Sequence, residues 1–349
     1  MAKLPGIDMD YVQGFLVKLL NTPSPAGYTE EAVELVAAAL DRLGIVYRRT
    51  NKGALLATCP GADDENHRLL AGHVDTLGAM VREVKESGRL KYVPIGGMWA
   101  SSVEGEYCTI VNTAGQRYTG TILTTKAAAH VYGKEGYELE RKPENMEIRL
   151  DERVKSAADT RALGIGAGDF VFFEPRTEVT PAGFVKSRHL DDKASVAAIL
   201  GALKCLVDND LGPAATTHFF ASNYEEVGHG ASAGTPAAVR EFIAVDMGCV
   251  GDGLSATEYD VSICARDSGG PYDLGLRRRL VSLAERHGIP HAVDIYPQYG
   301  SDAGAAMRAG ADVRSIVIGP GVDASHSYER THLEGIKATA DLLVAYLTS

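Results

Sequence analysis

Residues 216–230 read TTHFFASNYEEVGHG, and this stretch indicates the fold class. Its first half is a strongly apolar run, which is typical of a strand buried in a layered domain. The strand gives way to two adjacent carboxylates, Glu225 and Glu226, followed by glycines that permit a tight turn. Neighbouring acids repel each other and lose hydration at the end of a buried strand, so a functional site explains them better than a solvated turn.

Helices and strands alternate on both sides of this stretch. Apolar residues at helical spacing predict an amphipathic first helix with a buried stripe of Val12, Phe15, Leu16, Leu19 and Leu20. Thr29 can cap a second helix, and Gly44 suits the position just after its end. Further predicted elements are strands at 45–50, 54–59, 68–72, 216–222, 242–246 and 313–318, and helices at 196–206, 271–287 and 332–348. This alternation favours an α/β layered domain.

The pattern changes between residues 81 and 180. Short β-rich runs at 92–95, 107–111, 117–123, 146–150 and 169–174 are separated by turns, with one short helix near 156–163. Closely spaced short strands favour a small barrel or sandwich. We therefore predict a layered αβα domain with a mixed, mostly parallel sheet, formed by residues 1–80 and 181–349. A small barrel-like β domain at 81–180 interrupts it.

The composition excludes several classes of protein. The 349 residues are 45% hydrophobic, and their net charge of −11 argues against nucleic acid or an anionic membrane surface as a partner. Five scattered cysteines without a CxxC pair predict neither a disulfide framework nor a thiolate zinc site. The first 20 residues lack the apolar core of a signal peptide, and no run approaches the ~18 apolar residues that span a bilayer. We therefore expect a cytoplasmic protein.

Four further segments carry imidazole or carboxylate groups where α/β folds build sites. They are residues 71–75 with His73 and Asp75, 189–193 with Asp191 and Asp192, 244–248 with Asp246, and 323–329 with His326. Each has a plain alternative, namely a histidine that ends a strand, a helix cap or a solvated loop. Taken together, imidazole and carboxylate without thiolate suit Zn²⁺, Co²⁺ or Mn²⁺ in an open catalytic site. Two ions ~3.5–4 Å apart need a bridging carboxylate, which would account for an acid pair such as Asp191 and Asp192.

The order of these segments resembles the M42 family of metallo-aminopeptidases, the glutamyl, leucyl and deblocking aminopeptidase group. The matching blocks are His-x-Asp at 73–75, Leu-Asp-Asp at 190–192, Glu-Glu-Val-Gly at 225–228, the strand-terminal Asp246 and His-Ser at 326–327. The resemblance covers nearly the whole chain. It implies that Asp191 bridges two ions, that His73 and Asp246 complete one metal site, and that Glu226 and His326 complete the other. It also implies Glu225 as the general base and Asp75 as its partner outside the ligand set.

The resemblance further implies a function and an assembly. We expect an aminopeptidase that uses two divalent ions per subunit (Zn, Co or Mn) to remove N-terminal residues from small peptides. Residues 81–180 would form a dimerisation domain of a homo-oligomer, a dimer or a dodecamer. Two alternatives stay open: a related binuclear amidohydrolase acting on N-acylated amino acids or dipeptides, and an inactive metal-binding scaffold. Retention of Glu225 and all five presumed ligands argues against the scaffold.

The chain departs from the usual family pattern beside the acidic blocks. Tyr224 stands where Gln is common, His229 alone separates Val-Gly from Gly-Ala, and Lys193 replaces Arg. These departures are similar to a bacterial branch linked to the dipeptide osmolyte N-acetylglutaminylglutamine amide. The glycines of residues 164–168 follow a helix and precede a strand, so they predict a turn rather than a dinucleotide site. Ser301 is predicted to cap a helix, and His67 and His218 have no motif context.

Overall fold

The computed structural model describes residues 4–349, which divide into two compact units. One unit combines the chain up to Asp75 with Arg176–Ser349. The other unit is the continuous segment Thr76–Pro175. The first unit therefore consists of two chain segments that flank the second in sequence.

Helices and strands alternate in the first unit, whereas strands dominate the second. The helices are α1 (Met9–Leu20), α2 (Glu30–Arg42), α3 (Ala129–Tyr132), α4 (Lys134–Tyr137), α5 (Ala157–Ala162), α6 (Leu190–Asp208), α7 (Leu274–His287), α8 (Asp302–Arg308) and α9 (Leu333–Leu347). Short 3-10 helices lie at Ala100–Val103, Pro143–Asn145 and Gly230–Ser232. The strands are β1 (Val46–Arg49), β2 (Leu55–Cys59), β3 (Asp63–His73), β4 (Gly78–Val84), β5 (Leu90–Ile95), β6 (Tyr107–Val111), β7 (Arg117–Thr124), β8 (Met146–Leu150), β9 (Phe170–Phe173), β10 (Glu178–Val179), β11 (Phe184–Ser187), β12 (Ala215–Ser222), β13 (Val239–Val245), β14 (Gly248–Val250), β15 (Val261–Asp267), β16 (Gly270–Pro271), β17 (His291–Ile295), β18 (Arg314–Asp323) and β19 (Glu329–His332).

The first unit is built on one large mixed sheet with the strand order β1-β2-β12-β3-β13-β18-β19-β11-β10. Its centre is parallel, because β12 and β13 both pair in parallel with β3, and β13 also pairs in parallel with β18. The margins, including β1 with β2 and β11 with β19, pair antiparallel. Parallel neighbours end at the same edge of a sheet, so the carboxyl ends of β3, β12 and β13 converge.

Helices cover this sheet with an apolar core. Helix α6 is buried along almost its whole length and packs on α1, α9 and β3, while α9 also packs on α7 and β18. Close approach of α6 and α1 requires glycine at position 201, because a Cβ there would lie 2.5 Å from Val12. The predicted α/β class with a mixed sheet is confirmed.

The second unit is a closed six-stranded barrel with the order β4-β5-β8-β7-β6-β9. Its inward-facing residues form a separate apolar core that includes Ile110, Ile122, Ile148 and Val171. A closed barrel leaves no sheet edge unpaired, which suits a small domain made of short strands. The small barrel-like β domain predicted within the α/β fold is therefore present.

One helix-cap expectation from the sequence is wrong, and a second cap, considered only as an alternative to a metal ligand, is absent. Thr29 precedes α2, but its side chain makes no capping hydrogen bond and instead accepts one from Asn223 Nδ2 at 3.4 Å. Asp191 and Asp192 do not cap α6, because both have non-helical backbone angles and are buried at its start. The Ser301 cap is confirmed, since its side chain accepts the backbone N–H of Gly304. Within residues 4–349, no helix combines the length and apolarity needed to cross a membrane.

Candidate metal centre

Three central strands deliver side chains to one edge of the sheet. His73 is the last residue of β3 and lies opposite Ser222 at the end of β12. Glu225 follows the end of β12, and Asp246 follows β13 directly. The parallel register therefore brings together segments that are far apart in sequence.

Two further segments complete the cluster. Asp191 lies at the start of α6, and His326 lies in the connection between β18 and β19. The Nε2 atom of His73 is 3.2 Å from Asp191 Oδ1, and the Nε2 atom of His326 is 3.5 Å from Asp191 Oδ2. Asp191 thus presents one carboxylate oxygen to each imidazole, a geometry that suits a bridging group.

The described residues contain two groups of side chains with the geometry to hold a cation. One group is His73, Asp191 and Asp246, and the other is Asp191, Glu226 and His326. Within each group the potential ligand atoms lie within 4.8 Å of one another. Asp191 belongs to both groups, so two ions held there would share it.

Glu225 lies beside these groups without belonging to either. Its Oε2 atom is 3.8 Å from His73 Nε2, and its side chain keeps 16% of its surface exposed. A carboxylate in this place can reach a water molecule held between the two groups and move its proton.

Asp75 organises the site through both its backbone and its side chain. The Nδ1 atom of His73 lies 2.9 Å from the backbone carbonyl of Asp75, which can only accept a hydrogen bond. That bond places the proton on Nδ1 and leaves Nε2 free to act as a ligand. The Asp75 carboxylate accepts the backbone N–H groups of Glu225 at 3.1 Å and Glu226 at 3.2 Å. The Asp75 carboxylate lies farther from His73 Nδ1, at 3.6 Å, so the carbonyl is the hydrogen-bond partner of that nitrogen and the carboxylate holds the backbone of the acidic loop.

The acidic loop is also held by two residues to which the sequence pattern gave no such role. Lys52 donates from Nζ to the backbone carbonyls of His229, at 2.6 Å, and Gly230. Asp302, the residue after the Ser301 cap, accepts the N–H of Ala231 at 2.6 Å. Position 230 must be glycine because a Cβ there would lie 2.0 Å from Asp302 Oδ1. These contacts depend on tertiary packing, which local spacing does not reveal.

Burial and like charge set the proton affinities of the carboxylates. Burial, followed by the charge of Asp191, raises the pKa of Glu226 well above its ordinary value and that of Asp246 to about 7. Burial also acts to raise the pKa of Asp191, but hydrogen bonds from His326 and His73 outweigh it and lower that pKa. For His73, burial alone would lower the pKa, yet the hydrogen bond to Asp191 and the nearby carboxylates hold it well above normal.

The donor set fits divalent cations on structural grounds. Asp246 Oδ1 is buried and has no hydrogen-bond partner among the residues that the structure describes. Buried acidic oxygens of this kind are normally paired or bound to a metal. A cation would relieve the repulsion among Asp191, Glu226 and Asp246, and the mixture of imidazole and carboxylate without thiolate suits a catalytic rather than a structural ion.

The sequence profile of the M42 glutamyl aminopeptidases matches residues 53–342 of this chain. This chain belongs to the M42 peptidase family. Because it belongs to this family, the chain is an aminopeptidase, which is a hydrolase. The family is metal-dependent. The resemblance predicted from the five sequence blocks is thereby confirmed.

Known proteins are similar to this chain over nearly its full length. The putative aminopeptidase YhfE of Bacillus subtilis (strain 168) is 51% identical over 332 residues, which cover 95% of this chain and 96% of YhfE. The TET aminopeptidase of the marine sediment archaeon Thaumarchaeota archaeon SCGC AB-539-E09 has a similar fold, with a TM-score of 0.88, 19% identity and coverage of 97% and 96%. The TET1 peptidase of Pyrococcus horikoshii gives a TM-score of 0.84 at 23% identity, with coverage of 97% and 99%.

The structure brings together all seven residues that the sequence analysis singled out: His73, Asp75, Asp191, Glu225, Glu226, Asp246 and His326. Glu329 was quoted within the last block but received no role. Its carboxylate accepts the backbone N–H groups of Asp191 and of His326, which lies in its own segment. An acid three positions after a candidate ligand histidine was the available signal.

Proposed function

We propose that this M42 peptidase is a two-metal aminopeptidase whose ions share Asp191. The observation that carries the proposal is the placement of the two Asp191 oxygens, one toward His73 and one toward His326, within two overlapping groups of ligands. His73 and Asp246 would complete one site, and Glu226 and His326 the other. When bound, two divalent ions (Zn²⁺, Co²⁺ or Mn²⁺) supply Lewis-acid polarisation of the scissile carbonyl and lower the pKa of a water molecule.

Glu225 is the residue that we assign to proton transfer. Its carboxylate lies beside His73 of one ligand group, Glu225 is next in sequence to Glu226 of the other, and Glu225 belongs to neither group. Burial raises the pKa of Glu225 well above its ordinary value, which helps it to hold a proton taken from water and to deliver it to the departing amine. Asp75 keeps this base in place because it binds the backbone N–H of Glu225.

The substrate that we propose is a small peptide with a free N-terminus. The family supports this choice, because the matching profile is that of the M42 glutamyl aminopeptidases, and an aminopeptidase acts at a free N-terminus. An N-acylated substrate, which the alternative amidohydrolase would use, lacks that free amino group.

Removal and return of metal tests this proposal. We expect a chelator to abolish release of the N-terminal residue from a small peptide, and added Co²⁺, Zn²⁺ or Mn²⁺ to restore it. The matched substrate is the same peptide with an acetylated N-terminus, which should be cleaved much more slowly. Equal cleavage of both peptides would point to the amidohydrolase, and activity that persists after verified metal removal would contradict the metal assignment.

We also propose that the protein is a homo-oligomer, a dimer or a dodecamer, that uses the barrel unit as its dimerisation domain. The P. horikoshii TET1 peptidase, which is similar in fold, assembles into a tetrahedron or a large octahedral shell. The barrel unit exposes large apolar side chains, including Trp99 at 76% and Tyr137 at 83%, as an interface would. Native mass spectrometry of the wild type and of Trp99→Ser with Tyr137→Ser would test this assembly. Cytoplasmic location and the osmolyte branch stay predictions from the sequence.

A further inference from the structure

We propose that Glu329 is a positioning residue that fixes the backbone of two metal-ligand segments at once. This inference rests on the proposed function, because it assumes that Asp191 and His326 bind metal. Glu329 does not belong to either group of potential ligands. Its effect would therefore pass through the residues that it holds.

The contacts of Glu329 are specific. Oε2 accepts the backbone N–H of Asp191 at 3.0 Å, and Oε1 accepts the backbone N–H of His326 at 3.0 Å. The residue is only 2% exposed. The Glu329 carboxylate thus connects Asp191, which belongs to both candidate ligand groups, with His326, which belongs to one. These two residues are 135 positions apart in sequence (326 − 191).

The sheet explains why one residue can reach both segments. Glu329 opens β19, which pairs antiparallel with β11 on one side and contacts β18 on the other. Ser187, opposite Glu329, ends β11 shortly before Asp191, and β18 ends at Asp323 shortly before His326. Both ligand segments therefore leave strands that neighbour β19.

The backbone conformation of the His326 segment requires stabilising contacts of this kind. Ala324 and His326 have φ values of 56° and 63°, in the left-handed region that non-glycine residues seldom adopt. Residues in this region keep their conformation only when surrounding contacts fix it. The Glu329 hydrogen bond to the His326 N–H is one such contact, and it sets the direction in which the imidazole points.

Asp75 provides an internal parallel on the other side of the centre. Its carboxylate also accepts two backbone N–H groups, those of Glu225 and Glu226. Asp75 and Glu329 are thus two buried carboxylates that belong to neither ligand group and that each accept the backbone N–H groups of two functional residues. A carboxylate kept in such a place only for folding would not alter how tightly the site holds a cation.

The test compares Glu329→Gln with Glu258→Gln by titrating metal-free protein with Co²⁺, followed by calorimetry and visible absorption. A glutamine keeps one acceptor oxygen but turns an NH₂ group toward the other backbone N–H. We expect binding of at least one Co²⁺ equivalent to weaken about 10- to 100-fold, the usual effect of losing a residue that orients a metal ligand, and the absorption bands to shift. Glu258, the partner of the adjacent Arg330, is the control, and its variant should bind Co²⁺ like wild type.

Unchanged Co²⁺ affinity and absorption in a folded Glu329→Gln protein would overturn the inference. If that variant does not fold, Glu329→Asp decides by the same titration, since it keeps the charge but is too short to reach both N–H groups. Weakened binding supports the inference, and wild-type binding contradicts it. Failure of the proposed metal centre itself looks different, because wild type would then bind no more Co²⁺ than an Asp191→Asn variant.

Discussion

The two ends of strand β3 carry the same residue types and behave differently. His73 at the carboxyl end belongs to the candidate metal centre, whereas His67 near the other end lies against His218 of β12, with 3.0 Å between His67 Nδ1 and His218 Nε2. The Nδ1 atom of His218 is 3.0 Å from Thr58 Oγ1, and the Nε2 atom of His67 is 3.2 Å from the carbonyl of Asp64. Every ring nitrogen of this pair therefore has a protein partner.

The difference lies in the acids rather than in the histidines. The acid that contacts His67 is the exposed Asp64, which also accepts a hydrogen bond from Thr216. Next to His73 several buried carboxylates face one another, and Asp246 Oδ1 has no hydrogen-bond partner within the described part of the chain. An excess of buried negative charge, and not an imidazole beside an acid, is the feature that calls for a cation.

The largest contrast between the two ends is expected from neutralising one acid at each. Glu225→Gln should lower kcat about 10²- to 10⁴-fold, the typical contribution of a positioned proton-transfer group, while metal stays bound. Asp64→Asn should leave kcat near the wild-type value. Steady-state kinetics with metal analysis of the same samples would measure this. A loss of only a few-fold in Glu225→Gln with full metal content would remove it as the base.

Replacing each of the two histidines of β3 with alanine gives a second test of the comparison. His73→Ala removes a ligand of one group, and because a bound ion supplies several kcal/mol of transition-state stabilisation, we expect an activity loss on the order of 10³-fold. His67→Ala removes only its contact with His218 and should keep both metal and activity. Metal content by mass spectrometry would accompany the assays. Equal metal loss in both variants would mean that the two ends are coupled, contrary to this account.

A smaller effect is expected at Asp75. Asp75→Asn keeps the backbone carbonyl that binds His73 but weakens the acceptance of the N–H groups of Glu225 and Glu226. Replacing such a supporting residue typically lowers activity or metal affinity about 10- to 100-fold. Because this substitution would let the loop that carries Glu225 shift, we expect a larger fold-change in kcat than in KM. A pure rise in KM would contradict that interpretation.

The smallest effect concerns pH and belongs to the other end of β3. Burial, then the positive charges of His67 and Arg48, lowers the pKa of His218 to about 4, whereas the unfolded chain has the ordinary value near 6.5. The unfolded state binds more protons between these values, so the free energy of unfolding falls as pH drops from about 6.5 toward 4 and is unaffected above. One group contributes at most about 1.4 kcal/mol per pH unit. His218→Gln should flatten the slope of denaturant-measured stability in this window, and an identical slope would refute the assignment.

The sequence predicted most of the architecture because its signals are local. The runs at 107–111 and 146–150 match β6 and β8 to the residue, since turn residues bound them on both sides. The candidate ligand residues could be predicted because each one ends or follows a strand or begins a helix. In contrast, whether Asp75 meets His73 through its carbonyl or its carboxylate depends on atomic geometry that spacing does not encode.

Other features could not be predicted from the sequence because they depend on how distant strands pair. The contact of His67 with His218 follows from the register of β3 against β12, which pairs residues about 150 positions apart. Glu329 reaches its partners only because β19 lies between β11 and β18. The short strands of the sheet margin have weak local patterns, and their positions are set by tertiary pairing.

The interruption of the first unit by the barrel has a consequence for biosynthesis. The barrel occupies one continuous segment, Thr76–Pro175, so it can close while the remainder of the chain is still being translated. The candidate ligand residues, however, run from His73 to His326, and Glu329 of β19, which contacts the backbone of Asp191 and His326, comes later still. Under the proposed ligand assignment, the complete ligand set exists only after nearly the whole chain has been synthesised, so we expect cation binding to follow translation.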